Sequence, residues 1–416
     1  GFVRTRRTGY APLDRELMSA STSSRHSPLI WLVFLVIVID LVGFGLVIPL
    51  LPFMAPSLGG DSTDIAFIMI TYALGAALVS PAWGRLSDKS GRRQALVLAL
   101  LCSCFAYVVT ALAETLWQVY LGRALSGLAA GSLPVATALM ADLSPPERRA
   151  KAMGLVGTAF GLGLIAGPVL GGLLTGDSES FALPFYTAAV MSLMAAICAQ
   201  TMLPASMVKP SSSRSGTEEG AVPVSVLGPR QNKLLIMQYV THTCSVSSII
   251  YLFPLWVADA FTWGPQDVGY FFGAVGVAMI TLQGGLLAAL TKVFGHINVL
   301  RVGSVTFAVS LFVVATADTT VWMPAMIFLA FSGSTVCLPL LNAIASEIVE
   351  PSHRGRMMGM TASASSMGRI VGPLFAAGLL NSRDFSTAWL GSALMVLFLV
   401  FWSFTGARKF NRLELS

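Results

Sequence analysis

The sequence predicts an all-α membrane protein with twelve transmembrane helices in two pseudo-symmetric six-helix bundles, and three observations carry that prediction. The 416-residue chain is 55% hydrophobic but only 11% charged, with mean hydropathy +0.75, where a soluble domain carries about 25% charged residues. Its apolar residues gather in blocks of about 20, enough to cross a hydrocarbon core about 30 Å thick as a helix. The second half of the chain then repeats marked positions of the first at a fixed offset.

Taken in order, the predicted spans are 30–53, 65–83, 95–113, 117–140, 151–175 and 183–203, then 232–257, 268–290, 297–316, 321–346, 355–380 and 386–405. They divide the chain into an N-terminal bundle (30–203) and a C-terminal bundle (232–405). The Arg- and Ser-rich residues 1–29 and the tail 406–416 are expected to be cytoplasmic, the first of them disordered. Residues 204–231, rich in Ser, Pro and Gly, read as a flexible linker. The basic start before an apolar run has the layout of a signal peptide. The first span is too long for one and lacks a small-residue cleavage site, so it is expected to stay as an anchor, with Met18 a candidate native start.

Charge fixes the orientation. If the helices alternate direction, the clusters Arg4–Arg7, Arg85–Arg93, Arg148–Lys151, Lys209–Lys233, Arg354–Arg356 and Arg408–Arg412 all fall on one side. The opposite loops hold Arg383 among Asp61, Asp64, Asp177, Glu179, Asp259, Asp267 and Asp318. The positive-inside rule therefore places both termini and the linker in the cytoplasm. The net charge of +6 reports orientation in a lipid bilayer, not a nucleic-acid partner. The five cysteines lie in apolar blocks with no CxxC pair and no histidine cluster and read as free thiols packed between helices, which leaves redox compartment and metal binding uninformed; no metal or cofactor is assigned.

The repeat is plain at an offset of 205. "LPVATALMADLSPPERRAKAMG" (133–154) lies over "LPLLNAIASEIVEPSHRGRMMG" (338–359), matching Pro134 with Pro339, Asp142 with Glu347 and Arg149 with Arg354. Gly163, Gly167 and Pro168 match Gly368, Gly372 and Pro373, and upstream Pro49 matches Pro254. Two parallel halves around an axis along the membrane normal are a transporter architecture, with sites near midplane between them.

The loop between the second and third spans reads "GRLSDKSGRR" (84–93). Gly84 and Gly91 are expected to allow a tight turn, Asp88 to cap or pair with cations, and Arg92 and Arg93 to hold the loop inside. Here the chain resembles the major facilitator superfamily, whose signature at this loop is a Gly, an Asp and a Gly-Arg-Arg/Lys run. The resemblance implies the major facilitator fold and a conformational latch comprising these residues with Asp142 and Arg149. The fifth span, "GTAFGLGLIAGPVLGG" (157–172), spaces Gly157, Gly161, Gly163, Gly167 and Gly171 for close helix packing, with a Pro168 kink. It resembles the antiporter signature of the twelve-span, tetracycline-efflux-like drug:proton antiporters, across essentially the whole membrane portion, and this implies export. "GLGLIAG" within it has glycines like a dinucleotide loop but lies inside a span, not after a strand.

The fourth span begins "YLGRALSGLAAG" (120–131), which resembles the superfamily's proton-coupling motif through Arg123 and Gly127. Asp40 is the one carboxylate well inside a predicted span, where a charge costs about 2.5–3.5 kcal/mol on insertion scales. At 1.5 Å per residue the two side chains differ in depth by only about 6 Å. Asp40 and Arg123 are therefore the proton-coupling candidates; a structural role for Asp40 and an interfacial one for Arg123 stay open at this point.

The second half departs from the pattern. Ser245 stands at the position of Asp40, Phe328 at that of Arg123, and "LTKVFGHINVLR" (290–301) lacks the aspartate and the Gly-Arg-Arg run. Polar and aromatic residues at membrane depth supply substrate-cavity candidates: Gln238, His242, Tyr251, Trp256, Gln283 and Arg369. Arg369 reads as an anion-binding group or one of a structural pair, His242 as a proton carrier or a helix–helix hydrogen bond, and Tyr251 and Trp256 as a drug cage or packing. Tetracycline pumps carry an acidic residue in the ninth span and 297–316 has none, so the resemblance stops short of tetracycline itself.

The expected function is proton-coupled export of small organic, drug-like compounds by alternating access, by a monomer whose partners are its substrate, protons and the bilayer. The resemblance implies a bacterial inner membrane. A uniporter or proton symporter for a sugar or other metabolite, and a non-transporting sensor or scaffold on the same fold, are the alternatives. No catalytic triad, nucleotide loop or metal cluster points to an enzyme.

Overall fold

The computed structural model describes residues 13–47, 49–145, 149–176, 181–204, 230–317, 321–348 and 354–405. For 13–27, 149–151, 230–231, 346–348 and 354–356 it describes the backbone alone. Expectations about residues 1–12, most of the linker, the tail and the Arg149 side chain lie outside the described residues.

The chain makes twelve passes. The first is α1 (Leu13–Val47), followed by the short α2 (Leu51–Ser57). Helix at Leu13 differs from the coil expected up to residue 29; adding residues to a helix already nucleated costs far less than starting one. The expected single span 30–53 breaks after Val47 because Pro49 offers no N–H and disfavours helix at the residue before it. Next come α3 (Ser62–Ser90) and α4 (Arg92–Ala111). α3 starts on Asp61, whose carboxylate accepts the Asp64 N–H while the Asp64 carboxylate accepts that of Asp61, each at 2.9 Å. Gly91, at φ +94°, turns the chain into α4. Gly84 lies within α3, so Gly91 alone makes the turn expected of both.

The fourth pass is broken into α5 (Leu116–Leu128) and α6 (Ser132–Asp142), followed by α7 (Arg149–Thr175) and α8 (Ala182–Met202). The second bundle opens with α9 (Arg230–Phe261), continuous through Pro254. Its next pass is α10 (Pro265–Thr281), a π-type turn over Leu282–Leu286 kinked at Gly285, and α11 (Leu287–Phe294). Adjacent glycines at 284 and 285 give the kink its cause. Then follow α12 (His296–Thr316), α13 (Met323–Ile348), α14 (Arg354–Ser382) and α15 (Phe385–Thr405). Eleven passes are long and apolar enough to cross a membrane by composition. α14, at 29 residues, is long enough but too polar, which already suggests that it lines something other than lipid.

Within the first bundle α1 packs on α7 and α8, and α4 on α8; in the second, α9 packs on α14 and α15, and α12 on α13 and α15. Glycines let these backbones meet. A Cβ on Gly167 would lie 2.6 Å from the Gly45 carbonyl carbon, and one on Gly368 2.7 Å from the Val240 oxygen. The bundles meet mainly where α7 packs on α10 and α3 on α14, with a smaller contact of α2 on α9.

These junctions are closed at one end of the molecule. At the end away from the termini, Ser62 Oγ donates to Asn381 Oδ1 (2.6 Å), Asn381 Nδ2 to Thr63 Oγ1 (2.7 Å) and Tyr251 OH to the Ser62 carbonyl (2.7 Å). Gly172 meets Pro265 and Gln266, and Gly269 meets Pro168. The apolar cluster at that end draws on both bundles, from Val47, Ile65 and Phe185 to Tyr251, Phe272 and Trp389, whereas toward the termini each bundle has a buried cluster of its own. The bundles therefore splay toward the termini.

Candidate functional site

The site is built around the break in the fourth pass. Breaking a helix frees carbonyls that lipid cannot satisfy. Here the Trp83 indole N–H donates to the Leu128 carbonyl at 2.8 Å, and its ring covers Gly131, where no Cβ fits. The break also starts α6 at Ser132, whose Oγ donates to Asp40 Oδ2 at 2.6 Å. Val36, Ile37, Leu96, Leu100, Leu133 and Ala136 surround this pair. Asp40 thus has a hydroxyl donor and an apolar wall, beside a helix N-terminus that favours negative charge.

Arg123, only 5% exposed, lies on α5. It does not form an ion pair with Asp40; its guanidinium carbon sits 4.6 Å from the Tyr72 ring centroid, and its Nε has no hydrogen-bond partner. The cation–π contact holds the charge without quenching it. Tyr72 is the hub: Asp40, Arg123 and Arg369 of the opposite bundle all lie within its electrostatic reach, and Tyr107 lies within that of Asp40, Tyr72 and Arg123. Phe44 packs on Tyr72 with ring centroids 5.4 Å apart.

The latch residues sit at the terminus-bearing end. Arg92 bridges Asp88 at 2.8 Å and Asp142 at 2.9 Å, and donates to Ser87 Oγ. Arg93 donates to the Leu203 carbonyl at 2.9 Å. All these contacts stay inside the first bundle, tying α3, α4, α6 and α8. In the fifth-pass motif, Gly167 and Gly171 face α1 and Gly161 faces Ile280 of α10, while Gly157 packs against nothing. α7 is accordingly glycine-smoothed on both the intra-bundle and the inter-bundle side, with Pro168 at the contact with α10.

Most of the cavity candidates lie away from the space between the bundles. Gln238 and His242 are buried between helices of the second bundle, His242 Nε2 lying 3.2 Å from the Ser334 carbonyl. Trp256 is buried against Trp389 and Phe261. None of the three lines the open space: His242 and Trp256 make packing contacts, while the buried Gln238 amide has no hydrogen-bond partner among the described residues. Tyr251 belongs to the far-end closure through Ser62. Gln283 is exposed and donates to the Thr335 carbonyl, and Arg369 is exposed with one hydrogen bond, to Ser366 Oγ at 3.0 Å. Sequence reasoning missed Tyr72, Tyr107, Ser132 and Trp83. The glycine–serine run before Pro134 was the available signal for the break; nothing in sequence marked the tyrosines.

Two parallel helical bundles, closed at one end and splayed at the other around charged groups at membrane depth, define a secondary transporter. A family model described as Major Facilitator Superfamily matches residues 33–288 and again 235–414. The chain belongs to the Major Facilitator Superfamily, and is a multi-pass membrane transporter rather than an enzyme. It is similar to the class C tetracycline resistance protein of Escherichia coli, 30% identical over 376 residues, covering 86% of this chain and 91% of the relative. It is also similar to the quinolone resistance protein NorA of Staphylococcus aureus (strain COL), 25% identical over 356 residues and covering 85% and 90%. Among solved structures, an inward-facing bacterial homologue of the human lysosomal transporter Spinster shares the fold with TM-score 0.75 at 14% identity, covering 93% of this chain and 98% of that one.

Proposed function

We propose that the protein is a proton-coupled antiporter that exports small organic, drug-like compounds by alternating access. The observation that carries this is Asp40, held by Ser132 at the break of the fourth pass, with a buried Arg123 that lies over Tyr72 and makes no ion pair among the described residues. A carboxylate so placed can exchange its proton as the cavity opens to each side, and Arg123 can answer the change in charge. The relatives named for tetracycline and quinolone resistance support the drug-like class and the outward direction.

The terminus-bearing side is cytoplasmic on the argument from charge, which makes the conformation described here inward-open. The Arg92–Asp88–Asp142 cluster is the latch that re-pairs with the second bundle when that side closes. The working unit is a monomer in a bacterial inner membrane. The test is transport in proteoliposomes with an imposed pH gradient, using tetracycline and a quinolone as first substrates. Accumulation driven by the gradient and abolished by a protonophore is expected; flux indifferent to the gradient contradicts the proposal.

A further inference from the structure

Arg369 is the group for which packing gives no account. It lies in the middle of α14, where a charge facing lipid is costly. In its middle turns α14 is buried along one stripe and open around the rest of its circumference. Ala364, Ser365, Gly368 and Gly372 are buried, the glycines meeting α9. On one side of the open arc Met367, Val371 and Leu374 are exposed, with Ser363 bonded back to the Gly359 carbonyl in line with them. On the other side stand Ala362, Ser366 and Arg369, with Ser366 and Arg369 joined by a hydrogen bond. That polar side looks toward the first bundle: α14 packs on α3, and Tyr72 of α3 is within electrostatic reach of Arg369. The side chain therefore stands in the space between the bundles.

Charge in that space does not balance. Around Tyr72 the described residues supply two guanidiniums, Arg123 and Arg369, and one carboxylate, Asp40. Asp40 is turned to Ser132 in the first bundle and Arg123 lies over the tyrosine ring. Arg369 is left with a neutral serine hydroxyl as its hydrogen-bond partner. A guanidinium presents a planar fork of donors suited to a carboxylate, and Tyr72, on which Phe44 packs, lies within electrostatic reach of Arg369.

We infer that the substrate is an amphipathic molecule with an anionic group, which pairs with Arg369 on α14 while its apolar body lies against Phe44 and Tyr72 of the opposite bundle. Such a molecule touches both bundles at once, as the cargo of a rocking transporter must. The inference rests on the transport reading above for the site's purpose, but its test does not use transport.

Three probes with one fluorophore separate the charges: dansylglycine (anionic), dansylamide (neutral) and dansylcadaverine (cationic). Their binding to the purified full-length chain in detergent is read by fluorescence, with no gradient present. The wild type binds dansylglycine most tightly of the three. Arg369→Gln weakens dansylglycine about tenfold or more, the range for a charged hydrogen bond, and leaves dansylamide unchanged. Arg369→Lys keeps most of the anion preference, and Arg369→Glu reverses it toward dansylcadaverine. A wild type that binds dansylglycine no better than dansylamide overturns the inference, as does an Arg369→Gln variant that binds it equally well. Proton coupling can fail with this preference intact, and gradient-driven transport without the preference sinks only the anion assignment.

Discussion

Where the first bundle has Asp40, the second has Ser245, whose Oγ donates to the Ser392 carbonyl at 3.0 Å in a fully buried contact. Where the first has Arg123, Tyr72 and Ser132, the second has Phe328, Val277 and Cys337 at the same offset. The backbones differ to match. The fourth pass breaks between Leu128 and Ser132, whereas its counterpart α13 runs unbroken from Met323 to Ile348 with Pro339 inside it. The glycine contacts, however, are common to both: α7 meets α1 and α14 meets α9 through closely approaching backbones. Duplication has kept the packing that lets each bundle fold. The helix break, with the charge it serves, is found on one side alone. Arg369 is the exception, a charge of the second bundle that has no counterpart in the first, where the same position holds Leu164.

If that division is right, breaking the shared packing should hurt most and equally in both bundles. Gly167→Ala puts a Cβ against the Gly45 backbone, and Gly372→Ala does the same against Cys244. Each should cost about 3 kcal/mol and be visible as a large drop in melting temperature of the purified protein. Gly157→Ala, facing open space, should leave it unchanged. Stability lost in only one bundle would show that the symmetry of packing is superficial.

Variants at the charged positions should be asymmetric instead. Arg123→Gln is expected to lower gradient-driven export about tenfold or more, with Phe328→Leu near wild type at matched protein levels. Comparable losses in both would erase the distinction between the bundles.

The far-end closure should respond more gently. Tyr251→Phe removes one hydrogen bond to Ser62, worth about 1 kcal/mol, or roughly a fivefold shift toward opening at that end. Spin labels on Leu58→Cys and Ser382→Cys would report it as a larger population at long distance.

Smallest of all is the cap of α3. The Asp64 N–H donated to Asp61 holds that carboxyl below the usual carboxylate range. Its stabilisation is therefore complete above about pH 4 and fades only in stronger acid. Asp61→Ala should lower the melting temperature at pH 7 by about 1 °C, with the difference disappearing in strong acid.

The sequence revealed what lipid imposes. Twelve passes, the parallel repeat, the turn at Gly91 and the two charged residues of the first bundle all follow from hydropathy, glycine spacing and the cost of burying charge. It concealed what depends on where a helix face points. Gln238, His242 and Trp256 are polar or amphipathic at membrane depth, yet they turn into a bundle. Arg369, with the same one-dimensional signature, turns outward. The Ser132–Asp40 bond joins residues far apart in the chain, and it exists only because a helix break reorients Ser132. A hydropathy profile carries neither kind of information.

The proposed role of Asp40 as carrier of the coupling proton is open to a direct experiment. Its most direct test sets Asp40→Asn beside wild type in the same proteoliposomes, measuring substrate exchange at equilibrium and accumulation against a gradient. The variant is expected to keep exchange but to accumulate nothing when a pH gradient is imposed. An Asp40→Asn protein that still concentrates substrate against its gradient would contradict it.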